Sequence, residues 1–213
     1  MKFKGILFDL DGVLVHTDKL HYRAWKKIAD ECGILFNEEI NNLLRGVSRM
    51  ESLEIILRNY HGPALSQKEK EALAEEKNNY YKEELKSITP DDVTVEVRET
   101  LAALKAAGIK IAIGSSSKNT KFILKRVGLD DVFDAVSDGT NITKSKPDPE
   151  VFLKAAEYIA LAPEDCLVVE DAVAGIEAAK RGGMKAAGIG AAAFCEKTDY
   201  PITTFADLKD IAL

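Results

Sequence analysis

Cysteine is scarce in this chain, and what there is argues against covalent cross-links. Only Cys32, Cys166 and Cys195 occur, an odd number at wide spacing. That pattern excludes a disulfide framework or a zinc site and fits buried thiols in a reducing cytosol. Long apolar runs are missing too, since no stretch approaches the roughly 18–20 residues of a bilayer span. The start, Met1-Lys2-Phe3-Lys4-Gly5, leads straight into a strand-like run, so no targeting segment is expected. Positive charge is in deficit: 29 Lys and Arg against 35 Asp and Glu leave a net charge of −6. No Lys/Arg cluster offsets that balance, which excludes a nucleic-acid surface. Repeats and low-complexity segments are absent. With 46% hydrophobic and 30% charged residues, the 213-residue chain has the composition of a globular protein of one or two domains. A cytoplasmic location away from membranes is the expectation.

The pattern of apolar residues divides the chain. Residues 3–8 read as a buried strand that runs into Asp9-Leu10-Asp11-Gly12. From Lys19 to about residue 86 the text is helical and strongly charged. Trp25, Ile28, Ala29 and Cys32 recur at helical spacing before Gly33, and a long polar-faced helix is predicted over 69–85. After Thr89-Pro90, helix and strand alternate. Strands are expected at 109–113, 133–136, 166–169 and 186–189, with helices between them. Repeated βα units imply a parallel sheet covered by helices on both faces. The fold class is therefore α/β: a doubly wound parallel-sheet core, residues 1–14 and 88–213, with an inserted α-helical cap domain, residues 15–87.

Ligands bind beyond the carboxyl ends of the strands in such sheets. Those ends carry Asp9 and Asp11, Ser115-Ser116-Ser117-Lys118-Asn119, Lys144 and Lys146, and Glu170-Asp171. Like charges about 4 Å apart repel by roughly 4 kcal/mol at an effective dielectric near 20, so four converging carboxylates need cations. Hard oxygen donors that leave room for water and phosphate suit Mg²⁺. Asp9 and Asp11 are two apart and face the same side of an extended strand end, and Gly12 permits a sharp turn after them. One carboxylate can attack while its neighbour handles a proton. The serine turn offers hydroxyls and N–H groups to a phosphate, and a lysine screens the dianion from the nucleophile. Each piece alone also has a purely structural reading, as a solvated turn, a helix N-cap, first-turn dipole charges or a loop lysine. Their shared position at one sheet edge is what points to phosphoryl transfer through an aspartyl phosphate.

The same residues carry a family resemblance. Phe8-Asp9-Leu10-Asp11-Gly12-Val13-Leu14, Ser115, Lys146-Pro147 and Glu170-Asp171 resemble, in order, the four motifs of the haloacid dehalogenase superfamily. The resemblance implies a Rossmann-like core with Asp9 as nucleophile and Asp11 as general acid/base. It implies Mg²⁺ held by Asp9, the main-chain carbonyl of Asp11, Glu170 and Asp171. An acid at position 11 resembles the phosphotransferases of the superfamily, not its dehalogenases. Within the superfamily the insertion is similar to that of the β-phosphoglucomutases, through His21-Tyr-Arg-Ala-Trp25, Arg45-Gly46-Val47-Ser48-Arg49 with Ser52, and Lys77-Asn78. That likeness implies interconversion of β-glucose 1-phosphate and β-glucose 6-phosphate through the 1,6-bisphosphate. It implies that Arg49 holds the non-reacting phosphate, that Gly46 and Val47 lie along the sugar, and that His21 and Lys77 orient Asp11 and the ligand. Ser115 to Asn119 and Lys146 are implied as core phosphate contacts, and Thr17 as a hinge. His16, Arg45 and Ser116 depart from the acid, lysine and alanine more usual there.

Four other readings are weaker. A sugar-phosphate phosphatase uses the same nucleophile with water as acceptor. A receiver-like signalling domain carries its phosphoacceptor after a middle strand and has no inserted cap. Gly188-Ile-Gly190-Ala-Ala-Ala193 matches a dinucleotide fingerprint, but too little chain follows to complete its βαβ unit, and Asn141-Ile-Thr143 is a glycosylation acceptor only in a secreted chain. The expected partner is a small sugar phosphate, and a monomer is the expected state.

Overall fold

Six parallel strands build the sheet, in the order β3-β2-β1-β4-β5-β6. They are β1 (Gly5–Phe8), β2 (Lys110–Gly114), β3 (Ala135–Ser137), β4 (Cys166–Glu170), β5 (Lys185–Gly188) and β6 (Tyr200–Pro201). The computed structural model describes residues 2–44 and 47–213. The helices are α1 (Asp18–Glu31), α2 (Glu38–Asn42), α3 (Arg49–Leu57), α4 (Gln67–Glu84), α5 (Val95–Ala106), α6 (Thr120–Arg126), α7 (Glu150–Tyr158), α8 (Val173–Arg181) and α9 (Leu208–Ala212). The chain separates into two compact units, Met1–His16 with Thr89–Leu213 and Thr17–Ile88. The sheet lies wholly in the first, and the helical insertion falls between β1 and β2.

Register explains how the first unit is layered. Leu7 pairs with Ala112 on one side and Val168 on the other, and Val168 pairs with Ala186. This row faces a cluster made by Val151, Phe152, Ala155 and Ala156 of α7 and Ile176 and Ala179 of α8. One residue on, the period of two turns the next row to the other face. There Phe8 stacks on Phe205 at 5.6 Å and meets Phe133 edge-on at 6.2 Å. Helix α5 packs on β2 and α9, and Glu96 accepts from the Ala206 N–H at 2.7 Å. Both faces being covered, the strands read as continuous apolar runs, and each fully buried Leu or Ile contributes about 1.5–3 kcal/mol.

In the second unit Trp25, Ile28 and Ala29 of α1 form one cluster with Leu53 and Ile56 of α3 and Ala74 of α4. Capping boxes start α3 at Ser48 and Glu51 and α4 at Ser66 and Glu69, each satisfying orphan N–H groups of the first turn. No strand occurs among the described residues of this unit.

The sequence reading differs from the structure in three places. It ends the sheet at β5, whereas β6 adds a two-residue edge held by Asp199, which accepts from Lys180 and Lys185. A strand that short carries no periodic signal. The serine turn does not itself begin a helix, because α6 starts only at Thr120. Lys144 and Lys146 are not at a strand end either: β3 stops at Ser137, and a long loop carries Lys146 back toward the sheet edge.

Gly114 shows how tightly that edge is packed. A Cβ there would lie 2.5 Å from a ring carbon of the buried Phe152. Gly114→Ala is expected to destabilise the protein by about 1–3 kcal/mol in denaturant unfolding, as overpacked cores do.

Candidate active site

The strand register assembles the site. Phe8 pairs with Ile113 and with Val169, so Asp9 stands level with Gly114 and Glu170, all pointing to the face that α7 covers. The Asp9 N–H donates to the Val169 carbonyl at 3.0 Å, which continues the ladder one residue past β1. Beyond it the chain folds back sharply. Gly12 takes φ +86°, its N–H donates to the Val15 carbonyl at 2.8 Å, and Val15 donates to the Leu10 carbonyl at 3.2 Å. A Cβ at Gly12 would fall 2.2 Å from Asp171 Oδ2, so only glycine lets that carboxylate close on the turn.

Lys146 lies between the carboxylates. Its ammonium donates to Asp9 Oδ1 and, at 2.6 Å, to Glu170 Oε1, with all three residues buried. The Phe152 ring lies 4.7 Å beneath the same nitrogen. Burial alone would lower the Lys146 pKa, but Asp9 and Glu170 outweigh it and hold the ammonium protonated. Burial pushes the Asp9 carboxyl well above the usual range; Lys146 opposes this, while Glu170, Asp11 and Asp171 add to it. Glu170 Oε2 accepts from the Ala172 N–H at 2.9 Å, which fixes its second oxygen.

Oxygen atoms of Asp9, Glu170 and Asp171 come within 4.8 Å of one another. Three carboxylates against one ammonium leave two uncompensated negative charges, which one divalent cation neutralises. All-oxygen donors suit Mg²⁺, and the upward pressure on Asp9 is what such an ion would relieve. The residues therefore fit the metal. Asp11 is half-exposed and outside this side-chain group; the sequence reading brings only its main-chain carbonyl to the ion.

The serine turn follows β2 one strand over. Ser115 is buried and its N–H donates to the Ser137 carbonyl at 3.1 Å. The hydroxyls of Ser115 and Ser117 accept from the N–H groups of Ser117 and Asn119, both at 3.2 Å. Ser116 is half-buried, Lys118 exposed and Asn119 buried. The turn is thus preformed by its own side chains.

The second unit gathers a separate group of cations. Lys77 Nζ lies 2.8 Å from His21 Nδ1 and above the rings of Trp25 and Tyr81, at 5.0 and 4.6 Å. His21 stacks on Tyr81 at 3.9 Å. Burial, then the charges of Lys77 and Arg49, push the His21 pKa well below its usual value, so the ring is neutral near pH 7. Arg49 donates to Asn78 Oδ1 at 2.9 Å and to Glu75 at 3.3 Å. Ser48 is occupied as the α3 cap, Ser52 is buried, and Trp25 belongs to the apolar cluster. Val47 is half-buried and Thr17 is fully buried as the first residue of this unit. Arg45 and Gly46 lie outside the described residues. The sequence reading passed over Tyr81 and Glu75, whose helical positions signal only packing and solvation.

A core with this strand order, an insertion after the first strand and acids at its edge defines a class of phosphate-handling enzymes. The haloacid dehalogenase-like hydrolase model matches residues 3–183, and the chain belongs to that family. It is 43% identical over 190 residues to a β-phosphoglucomutase of Bacillus subtilis, covering 88% of this chain and 83% of that protein. It is 31% identical over 184 residues to a phosphorylated carbohydrates phosphatase of Thermotoga maritima, covering 85% and 82%. A crystal structure of β-phosphoglucomutase from Clostridium difficile superposes with a TM-score of 0.89 at 36% identity, covering 97% of this chain and 93% of that one.

If the carboxylate group holds Mg²⁺, the ion should raise the thermal midpoint in a concentration-dependent manner, as any ligand of the native state does. Asp171→Asn is expected to remove most of that shift in differential scanning fluorimetry.

Proposed function

We propose that the protein is a β-phosphoglucomutase, moving a phosphoryl group between O1 and O6 of β-glucose by way of an aspartyl phosphate on Asp9. The observation that carries this reading is the buried Lys146, which bonds Asp9 and Glu170 at once beside Asp171. Such an arrangement holds a carboxylate in place and offers positive charge to a phosphoryl group arriving at it. Asp9 attacks phosphorus, the bond from phosphorus to the donor oxygen breaks, and Asp11 delivers a proton to that oxygen. In the second half a sugar hydroxyl gives its proton to Asp11 and attacks the same phosphorus, releasing Asp9. Asp9, Glu170, Asp171 and the Asp11 carbonyl would hold Mg²⁺, which when bound would supply charge neutralisation. Lys146 and the serine turn bind the transferring group, and Arg49 takes the phosphate that stays in place. His21, neutral, can orient a ligand hydroxyl without adding charge.

A phosphatase acting on phosphorylated sugars is the second reading, favoured by the Thermotoga maritima relative. It needs the same residues with water as acceptor. A coupled assay for glucose 6-phosphate from β-glucose 1-phosphate, with Mg²⁺ and catalytic bisphosphate, separates the two. Steady phosphate release with no isomer formed would leave only the phosphatase.

Two variants probe the roles. Asp9→Asn should lower kcat by roughly 10⁴-fold or more, as removal of a covalent nucleophile does. Substantial residual turnover would take Asp9 out of that role. Arg49→Ala should cost isomerisation roughly 10- to 100-fold while leaving hydrolysis of a small aryl phosphate nearly intact. Equal losses on both substrates would remove the phosphate assignment from Arg49.

A further inference from the structure

Lys146 comes from a loop rather than a strand, so something outside the sheet must hold it. That loop leaves β3 at Ser137 and enters α7 at Glu150. Along α7, Glu150, Lys154 and Tyr158 are spaced four apart, which places them on one stripe of the helix. All three bind the loop. Glu150 Oε2 accepts from the Thr143 and Lys144 N–H groups, both at 2.8 Å, and from the Thr143 hydroxyl at 2.9 Å. Lys154 pairs with Glu150 Oε1 at 2.9 Å and donates to the Asn141 carbonyl. The Tyr158 hydroxyl accepts from Asn141 Nδ2 at 2.8 Å. Asp148 closes the far side, its N–H donating to the Ser145 carbonyl at 3.0 Å and its Oδ1 accepting from the Glu150 N–H at 3.1 Å. The opposite side of α7 puts Phe152 under the Lys146 ammonium.

The structure assigns Glu150, with Lys154 and Tyr158, as positioning residues that clamp loop 141–149 to α7 and so set where the Lys146 ammonium meets Asp9 and Glu170. Without the clamp, two main-chain donors and a hydroxyl beside Lys146 lose their acceptor, and the loop is free to carry the ammonium away from the sheet edge. The clamp does not loosen at working pH: the hydrogen bond from Lys154, followed by those from the Lys144 and Thr143 N–H groups, holds the Glu150 carboxyl down to about 2. The assignment deepens the phosphotransfer reading and rests on the role proposed there for Lys146.

Glu150→Ala in the Mg²⁺-loaded enzyme is the main test. Its kcat should fall roughly 10- to 100-fold on sugar phosphate and aryl phosphate alike, with a smaller change in KM, the size expected when a reacting group shifts by about an ångström. Tyr158→Phe, which loses one bond, should change kcat by less than about 3-fold. Independently of activity, a crystal structure of Glu150→Ala should show the Lys146 ammonium withdrawn from Asp9 or Glu170. Should Glu150→Ala not fold, Glu150→Gln, which keeps one acceptor oxygen but turns an amide toward Lys154, takes its place in both measurements. An unmoved Lys146 in the folded variant, or an unchanged kcat, overturns the clamp. A wild-type enzyme without phosphotransfer, but with Lys146 displaced in the variant, would sink the functional reading and leave the clamp standing.

Discussion

Everything at the sheet edge is organised around one buried ammonium shared by two buried carboxylates. Taking Lys146, Asp9 and Glu170 out of water costs several kcal/mol per charge, and their mutual contacts, with the Ala172 N–H on Glu170 and the Phe152 ring beneath Lys146, offset it. Removing Lys146 would leave two buried carboxylates uncompensated in an apolar surround, a loss of about 3–5 kcal/mol. The trio is still short of neutral once Asp171 joins it. That residual negative charge makes the edge a place where a divalent cation is well received.

The fold supplies this arrangement cheaply because parallel register does most of the placing. Once Phe8 is level with Val169, Asp9 and Glu170 must be neighbours on the same face. The glycines at 12 and 114 then clear space that side chains would fill, one for the Asp171 carboxylate and the other for Phe152. The insertion builds its own cluster of Lys77, Arg49 and a neutral His21 on helices stabilised by a separate apolar core.

Much of the core was legible in the linear text. The strand before Asp9 and the alternation after Thr89 are strong periodic signals, and Asp9, Glu170 and Asp171 do converge as their strand-end positions require. Less visible was β6, whose two residues have no period to detect, and the start of α6, which the hydrogen-bonded serine turn postpones to Thr120. Ser48 and Trp25, both in a motif-like stretch, carry structural duties as well: one caps α3 and the other packs in the apolar cluster.

What the sequence by itself determined is the sheet with its inserted helices and the identity of the acids at the sheet's edge, because period and strand order are local properties that survive being read one residue at a time. Only the tertiary structure decided how Lys146 is presented. Its partners Asp9 and Glu170, and the α7 stripe that ties down its loop, belong to segments brought together by folding. No local pattern encodes that meeting, since it depends on the return path of a loop with no periodicity of its own.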